Sequence, residues 1–267
     1  MTGMATRELH VVGKSLPRFD APGKVTGTAV YAADFALPGM LVGKVYRSTQ
    51  AHARIVRLDV GRARALPGVR AVISAADVPE VRYGGGLKDE TVFAAGKVRY
   101  VGQPVAAVAA TTSEAAEAAL AAIEAVYEPL PAVLDLEAAL APGAPLVHEE
   151  WQSYTAIPIL HRDGNVCNRA RIVVGDIERG FEEAHRIFEH RFRTSMVHQG
   201  YTEPRAAVAQ WDSSGTVTVW SNTQLPFEVQ NTLAEILQTP PSKIRVVVPG
   251  IGGGFGGKLR VGVEHFA

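Results

Sequence analysis

Ile244-Arg245-Val246-Val247-Val248-Pro249-Gly250-Ile251-Gly252-Gly253-Gly254-Phe255-Gly256-Gly257-Lys258 carries a β-branched run into a loop with six glycines in nine residues, Gly250 to Lys258. Ile244 to Val248 reads as a buried strand. The loop after it reads as a set of backbone donors, because successive peptide N–H groups without side chains approach a ligand closely and turn toward an anion or an oxo group. A plain turn has no need of six glycines, each costing about 0.5 to 1 kcal/mol against alanine in a helix or strand. Ligand binding is the expected role.

Two familiar loops fit only in part. Gly252 with Gly257-Lys258 has the spacing of a phosphate loop, but Leu259 stands where a magnesium-binding Ser or Thr belongs. Gly252, Gly254 and Gly257 satisfy the dinucleotide pattern G-x-G-x-x-G, a weak signal in any glycine run, and the sequence ends before the acidic residue expected about 20 positions on.

Upstream, Arg205 to Trp211 and Thr216 to Ser221 read as a hairpin turned by Asp212-Ser213-Ser214-Gly215, and Pro226 opens a helix to about Leu237. Asp176 is expected to cap a short helix through Ala184, with Arg186 to Met196 a strand after it. Four prolines between Glu128 and Glu150 argue against continuous regular structure, so 133–150 is read as a linker between units at 24–132 and 151–267. In the first unit Met40 to Tyr46, Val69 to Ser74 and Pro104 to Ala110 read as strands. An alanine-rich helix follows, with Ser113 as cap, Glu114 and Glu117 in its first turn, and Ala116, Leu120, Ile123 and Tyr127 on one face. Residues 1–23 read as an extended arm broken by Pro17, Pro22 and Gly23.

Composition narrows the function classes. Lys plus Arg equals Asp plus Glu at 27 each, so the net charge is zero and the broad attraction that nucleic-acid binders use is missing. Cys167 is the one cysteine, so this chain builds neither a disulfide nor a cysteine-ligated iron-sulfur cluster by itself. No role is assigned to it, nor to His52, His148, His161, His185 and His190, which lack metal-ligand spacing. There is no signal-peptide core and no apolar run near the roughly 18 residues that span a membrane, which makes the cytoplasm the expected location.

GGGFGGK resembles the molybdopterin loop of the xanthine dehydrogenase, aldehyde oxidase and carbon monoxide dehydrogenase family. GKVTGTAVYAADFALPGMLVGKVYRSTQAHARI, KVRYVGQPVAAVAATTSEAAEAA and HQGYTEPRAAVA resemble further family stretches in the same order, from about Gly13 onward. The resemblance implies an α+β fold, in which an α/β hammerhead domain at 24–132 precedes the first part of a molybdenum-cofactor-binding domain. It implies cofactor contacts from Gly253, Gly254, Phe255, Gly256 and Gly257. It also implies one from Gln224 of the Thr223-Gln224 pair, whose neutral amide donates to an oxo ligand without losing a proton to it. His198, Tyr201, Glu203 and Leu259 become substrate-channel candidates, the structural alternative being that Glu203 pairs with Arg205 or Arg193. Leu259 replaces a glutamate that helps hold purine in xanthine-oxidising members, so an aldehyde, an aromatic heterocycle or a similar small substrate fits better. The family's general-base glutamate is expected beyond residue 267, and no direct metal ligand is expected here.

The cofactor implied is molybdenum-molybdopterin, with a cytosine dinucleotide form as an alternative. Iron-sulfur clusters would sit on a small partner subunit and FAD on a medium one, in a dimer of heterotrimers. Val263, His265, Phe266 and Ala267 read as the start of a buried element, so the chain is expected to continue, and this segment alone is expected to be inactive. A reading from another class is a non-catalytic cofactor-binding or assembly scaffold, or one half of a split large subunit.

Overall fold

A computed structural model describes residues 9–266, so Ala267 and the first eight residues of the expected arm lie outside the described residues. In chain order the helices are α1 (Ala21–Thr26), α2 (Gly61–Arg64), α3 (Ser113–Ala122), α4 (Leu136–Leu140), α5 (Ile177–Glu182) and α6 (Pro226–Ile236). The strands are β1 (Val42–Arg47), β2 (Ala53–Asp59), β3 (Val69–Ser74), β4 (Lys97–Val98), β5 (Pro104–Ala110), β6 (Glu124–Pro129), β7 (Ala207–Trp211), β8 (Val217–Ser221) and β9 (Ile244–Val247). They form three three-stranded sheets, ordered β1-β5-β3, β4-β2-β6 and β7-β8-β9. This is a mixed α+β architecture, as the resemblance implies.

The center of the first sheet is β5, antiparallel to both neighbours. Its residues, Pro-Val-Ala-Ala-Val-Ala-Ala, are buried except Ala109, and successive side chains face opposite ways. Ala106, Val108 and Ala110 pack with Ala116 and Ala119 of α3, where small side chains allow close approach of helix and sheet. Ala107, on the other face, joins a second core with Tyr83, Val92, Phe93, Val217, Val219, Val229, Leu233 and Phe266. The regions before and after the expected linker therefore share one core.

Several expectations need correction. The cap of α3 is Thr112, whose hydroxyl accepts from the Ala115 N–H, and Ser113 is the first helical residue. Tyr127 belongs to β6 and pairs with Ile55 of β2, because α3 gives way to extended backbone at Ile123. The 133–150 stretch contains α4, capped by Asp135, which accepts from the N–H groups of Glu137 and Ala138. Pro129 and Pro131 precede this helix and Pro142 and Pro145 follow it, so the four prolines bound it and do not break it. Arg186 to Met196 is not a strand; residues 169–200 are exposed throughout, and no partner strand among the described residues takes their backbone groups.

Candidate functional site

Parallel pairing of β8 with β9 is what brings the site together. Both strands run the same way in register from Val217 opposite Ile244 to Trp220 opposite Val247, with α6 as the crossover. Ser221 to Gln224 leave the end of β8 and Gly250 to Lys258 leave the end of β9 on the same edge, where open α/β sheets commonly hold ligands. Pro226 starts α6, and Val229, Leu233, Ala234 and Ile236 are its buried residues. Val217, Val219 and Ser221 alternate inward on β8, so the chain arrives at Thr223 anchored.

Thr223-Gln224 grips the far end of the loop. The Gln224 N–H donates to the Lys258 carbonyl at 2.8 Å and the Thr223 hydroxyl to the same carbonyl at 3.1 Å. The side chain adds a second layer, because Gln224 Oε1 accepts from the N–H groups of Gly256 (3.1 Å) and Lys258 (3.2 Å). Two N–H donors fix which end of the amide is oxygen, which leaves Nε2 as its donor end.

The other end is held by Glu203. Its Oε2 accepts from the Gly252 N–H at 2.7 Å and from Lys258 Nζ at 2.8 Å, while its own N–H donates to the Gly252 carbonyl at 3.2 Å. The Lys258 ammonium also sits 4.7 Å from the center of the Tyr201 ring. Glu203 thus pairs with neither expected arginine: Arg205 binds Glu264 at 2.9 Å and Arg193 binds Asp135 at 2.8 Å. Arg205 further donates to the carbonyls of Gly257 (3.1 Å) and Arg260 (2.8 Å).

The G-x-G-x-x-G glycines are spoken for by the protein. A Cβ on Gly252 would lie 2.5 Å from Glu203 Cβ, one on Gly254 2.5 Å from Gln224 Oε1, and one on Gly257 2.6 Å from Tyr201 Cε1. They make room for side chains of this chain, which removes the basis for a dinucleotide fingerprint. Phe255 between them has φ +48 and its side chain is exposed. Of the other candidates, His198 is exposed and edge-on to Tyr201 at 4.7 Å between ring centers, Leu259 is partly exposed, and Glu203 is tucked under the loop. Gln224 and Phe255 lie outside the three clefts lined respectively by Trp211, by Tyr100 and by Cys167.

Two family profiles match the chain: "Aldehyde oxidase and xanthine dehydrogenase, a/b hammerhead domain" over residues 26–131 and "Molybdopterin cofactor-binding domain" over residues 160–267. The chain belongs to the xanthine dehydrogenase and aldehyde oxidase family. It is 36% identical over 259 residues to the nicotinate dehydrogenase large molybdopterin subunit of Eubacterium barkeri, covering 97% of this chain and 58% of that one. It is 36% identical to the carbon monoxide dehydrogenase large chain of Afipia carboxidovorans, covering 87% of this chain and 30% of that one. The solved quinoline 2-oxidoreductase of Pseudomonas putida 86 superposes with a TM-score of 0.82 at 34% identity, covering 95% of this chain and 32% of that one. The chain thus spans from 30% to 58% of these family members' lengths.

In this family member the loop is followed by buried polar contacts that sequence reasoning missed. Ser221 Oγ lies 3.0 Å from His265 Nε2, and His265 Nδ1 lies 3.2 Å from Glu264 Oε1. The connectivity resembles a nucleophile relay, but Ser221 is 1% exposed, and the set serves as a lock between β8 and the segment after the loop. Burial acts to raise the Glu203 carboxyl, but hydrogen bonds from Lys258 and the Gly252 N–H outweigh it and hold the pKa below the usual glutamate value. Burial acts the same way on Glu264, where the His265 hydrogen bond and the Arg205 charge bring the net shift downward. With folded pKa values below the unfolded ones, both carboxylates stabilise the fold above the ordinary value of about 4.3, and that contribution is lost as pH falls through the folded values. The urea midpoint is expected to hold near neutral pH and drop below about pH 4.3; a midpoint unchanged down to pH 3 would contradict this.

Proposed function

We propose that this chain supplies the glycine-loop side of the molybdenum-pterin site in the large subunit of a molybdenum hydroxylase. The observation that carries the reading is Gln224. Its oxygen is committed to two loop N–H groups and its Nε2 makes no hydrogen bond within the described residues, leaving a neutral donor beside Gly254 and Phe255. The residues present fit an oxo-bearing group: an uncharged amide donor with no hydrogen bond from Nε2 among the described residues, packed against Gly254, and an exposed aromatic ring beside it in sequence. Gln224, Gly253, Gly254, Phe255, Gly256 and Gly257 would hold the group.

When bound, the cofactor supplies two-electron redox chemistry at an electron-poor carbon. The chain's own part is to present Nε2 toward an oxygen without giving up a proton, to fix the loop backbone from both ends, and to place Phe255 on the approach. An apolar Leu259 suits an aldehyde, an aromatic heterocycle or another small uncharged substrate, in keeping with a family that includes a quinoline oxidoreductase and a carbon monoxide dehydrogenase. His198 and Tyr201 are placed to flank that approach, whereas Glu203 acts beneath the loop. Electrons would leave through an iron-sulfur subunit and an FAD subunit in a dimer of heterotrimers in the cytoplasm, with the cytosine dinucleotide form of the pterin as a variant of the same site. Turnover needs a general base from outside these residues.

The test begins with the complex purified from its source, assayed for molybdenum and pterin. About one of each per large subunit is expected, and their absence overturns the reading. Gln224→Glu then keeps an oxygen for the Gly256 and Lys258 N–H groups while removing the Nε2 donor. Turnover is expected to fall at least about tenfold, the order of one lost transition-state donor or more, with little change in melting temperature. Unchanged turnover at full metal content would remove Gln224 from the site.

A further inference from the structure

We infer that Glu203 and Lys258 are positioning residues, a buried clasp that sets the loop's backbone for the cofactor; this rests on the proposed function above. One carboxylate oxygen binds both ends of the loop, the Gly252 N–H at 2.7 Å and Lys258 Nζ at 2.8 Å, so the residues between are held as a closed arch. The Lys258 side chain is 1% exposed and that of Glu203 11%, so the pair is out of bulk solvent. The lysine's own backbone is tied as well, its N–H to Gln224 Oε1 and its carbonyl to the Thr223 hydroxyl and Gln224 N–H. A shift of the clasp therefore reaches the amide that faces the cofactor.

Stability alone does not account for this arrangement. Desolvating two charges costs much of what their attraction returns, and apolar pairs of similar volume commonly replace buried ion pairs without loss. Glu203 Oε1 is in addition buried with no hydrogen-bond partner among the described residues, a further cost that an apolar pair would avoid. What an apolar pair lacks is an acceptor for the Gly252 N–H and a fixed distance between positions 252 and 258. The ammonium is also kept on the protein side of the arch, over the Tyr201 ring, so it leaves the outer face to neutral donors.

The experiment compares the complete wild-type complex with one whose large subunit carries Glu203→Met and Lys258→Met, and with a second carrying Glu203→Asp. The Asp variant keeps the charge pair but draws the carboxylate back from Gly252. Readouts are melting temperature, molybdenum per subunit and the Mo(V) electron paramagnetic resonance spectrum after partial reduction. The double variant is expected to melt within about 5 °C of the parent, a small change on the scale of one ordinary substitution, yet to carry several-fold less molybdenum and a shifted spectrum. The Asp variant is expected to show the shifted spectrum, and it alone decides the matter should the double variant not fold. Parent-like metal content and spectrum in the folded variants overturn the positioning role while leaving the proposed function standing. A wild-type complex without molybdenum overturns both.

Discussion

Gly254→Ala is expected to destabilise the protein by about 3–5 kcal/mol, made up of overpacking at about 1–3 kcal/mol and loss of two hydrogen bonds at about 1 kcal/mol each. The new Cβ would lie 2.5 Å from Gln224 Oε1 and 2.6 Å from its Cδ, so the amide must swing away and release the N–H groups of Gly256 and Lys258. Gly256→Ala is the matched control. Position 256 has φ +87 but open space around its Cβ, so only the backbone penalty of about 1 kcal/mol applies. Urea unfolding of both variants separates the explanations, since equal losses would mean that the close approach to Gln224 is unimportant.

Arg205→Ala is expected to cost about 3 kcal/mol. The guanidinium binds Glu264 Oε1 and the carbonyls of Gly257 and Arg260, and without it a carboxylate only 9% exposed keeps His265 as its one basic neighbour. Breaking a well-buried pair costs about 3–5 kcal/mol, and the lower end applies here because the Arg205 side chain is 28% exposed. Arg205→Lys is expected to recover less than half of the loss, because an ammonium on a single stem cannot direct donors at three acceptors as a planar fork does. Denaturant titration that finds the lysine variant equal to the parent would refute the fork argument.

How far these features were legible in the sequence depended on how strongly each pattern was enforced. β5 lies where the sequence places it because it is a continuous apolar run, and β3 because Val69, Ala71, Val72 and Ile73 keep it mostly apolar around Arg70. β8, α6 and β9 differ from expectation by one residue at an end, helped by the turn at Asp212 to Gly215 and by Pro226. β2 went unread because its Ala-Arg-Ile-Val-Arg-Leu-Asp sequence is half exposed and two arginines interrupt the apolar alternation. β6 was absorbed into the preceding helix because Tyr127 falls on that helix's periodicity, a coincidence that sequence alone does not resolve. The glycine loop and Gln224 were legible from the residues that carry the family resemblance. The clasp was not, because nothing local joins Glu203 to a lysine 55 positions away, and a lysine closing a glycine loop reads first as a charge for phosphate. The alternative that pairs Glu203 with Arg205 or Arg193 fails because those guanidinium groups go to Glu264 and Asp135.

The core shared across the presumed linker also has a consequence for the order of events during synthesis. All strands of the first two sheets lie between Val42 and Pro129, so that part leaves the ribosome complete while the whole of the site is still untranslated. Yet Tyr83, Val92, Phe93 and Ala107 pack against residues as late as Phe266, whose ring meets Tyr83 at 6.0 Å and Phe93 at 6.4 Å between centers. The early part must therefore wait with an apolar face bare until more than a hundred further residues have been made. That face is covered stepwise as Val217, Val219, Val229, Leu233 and finally Phe266 arrive.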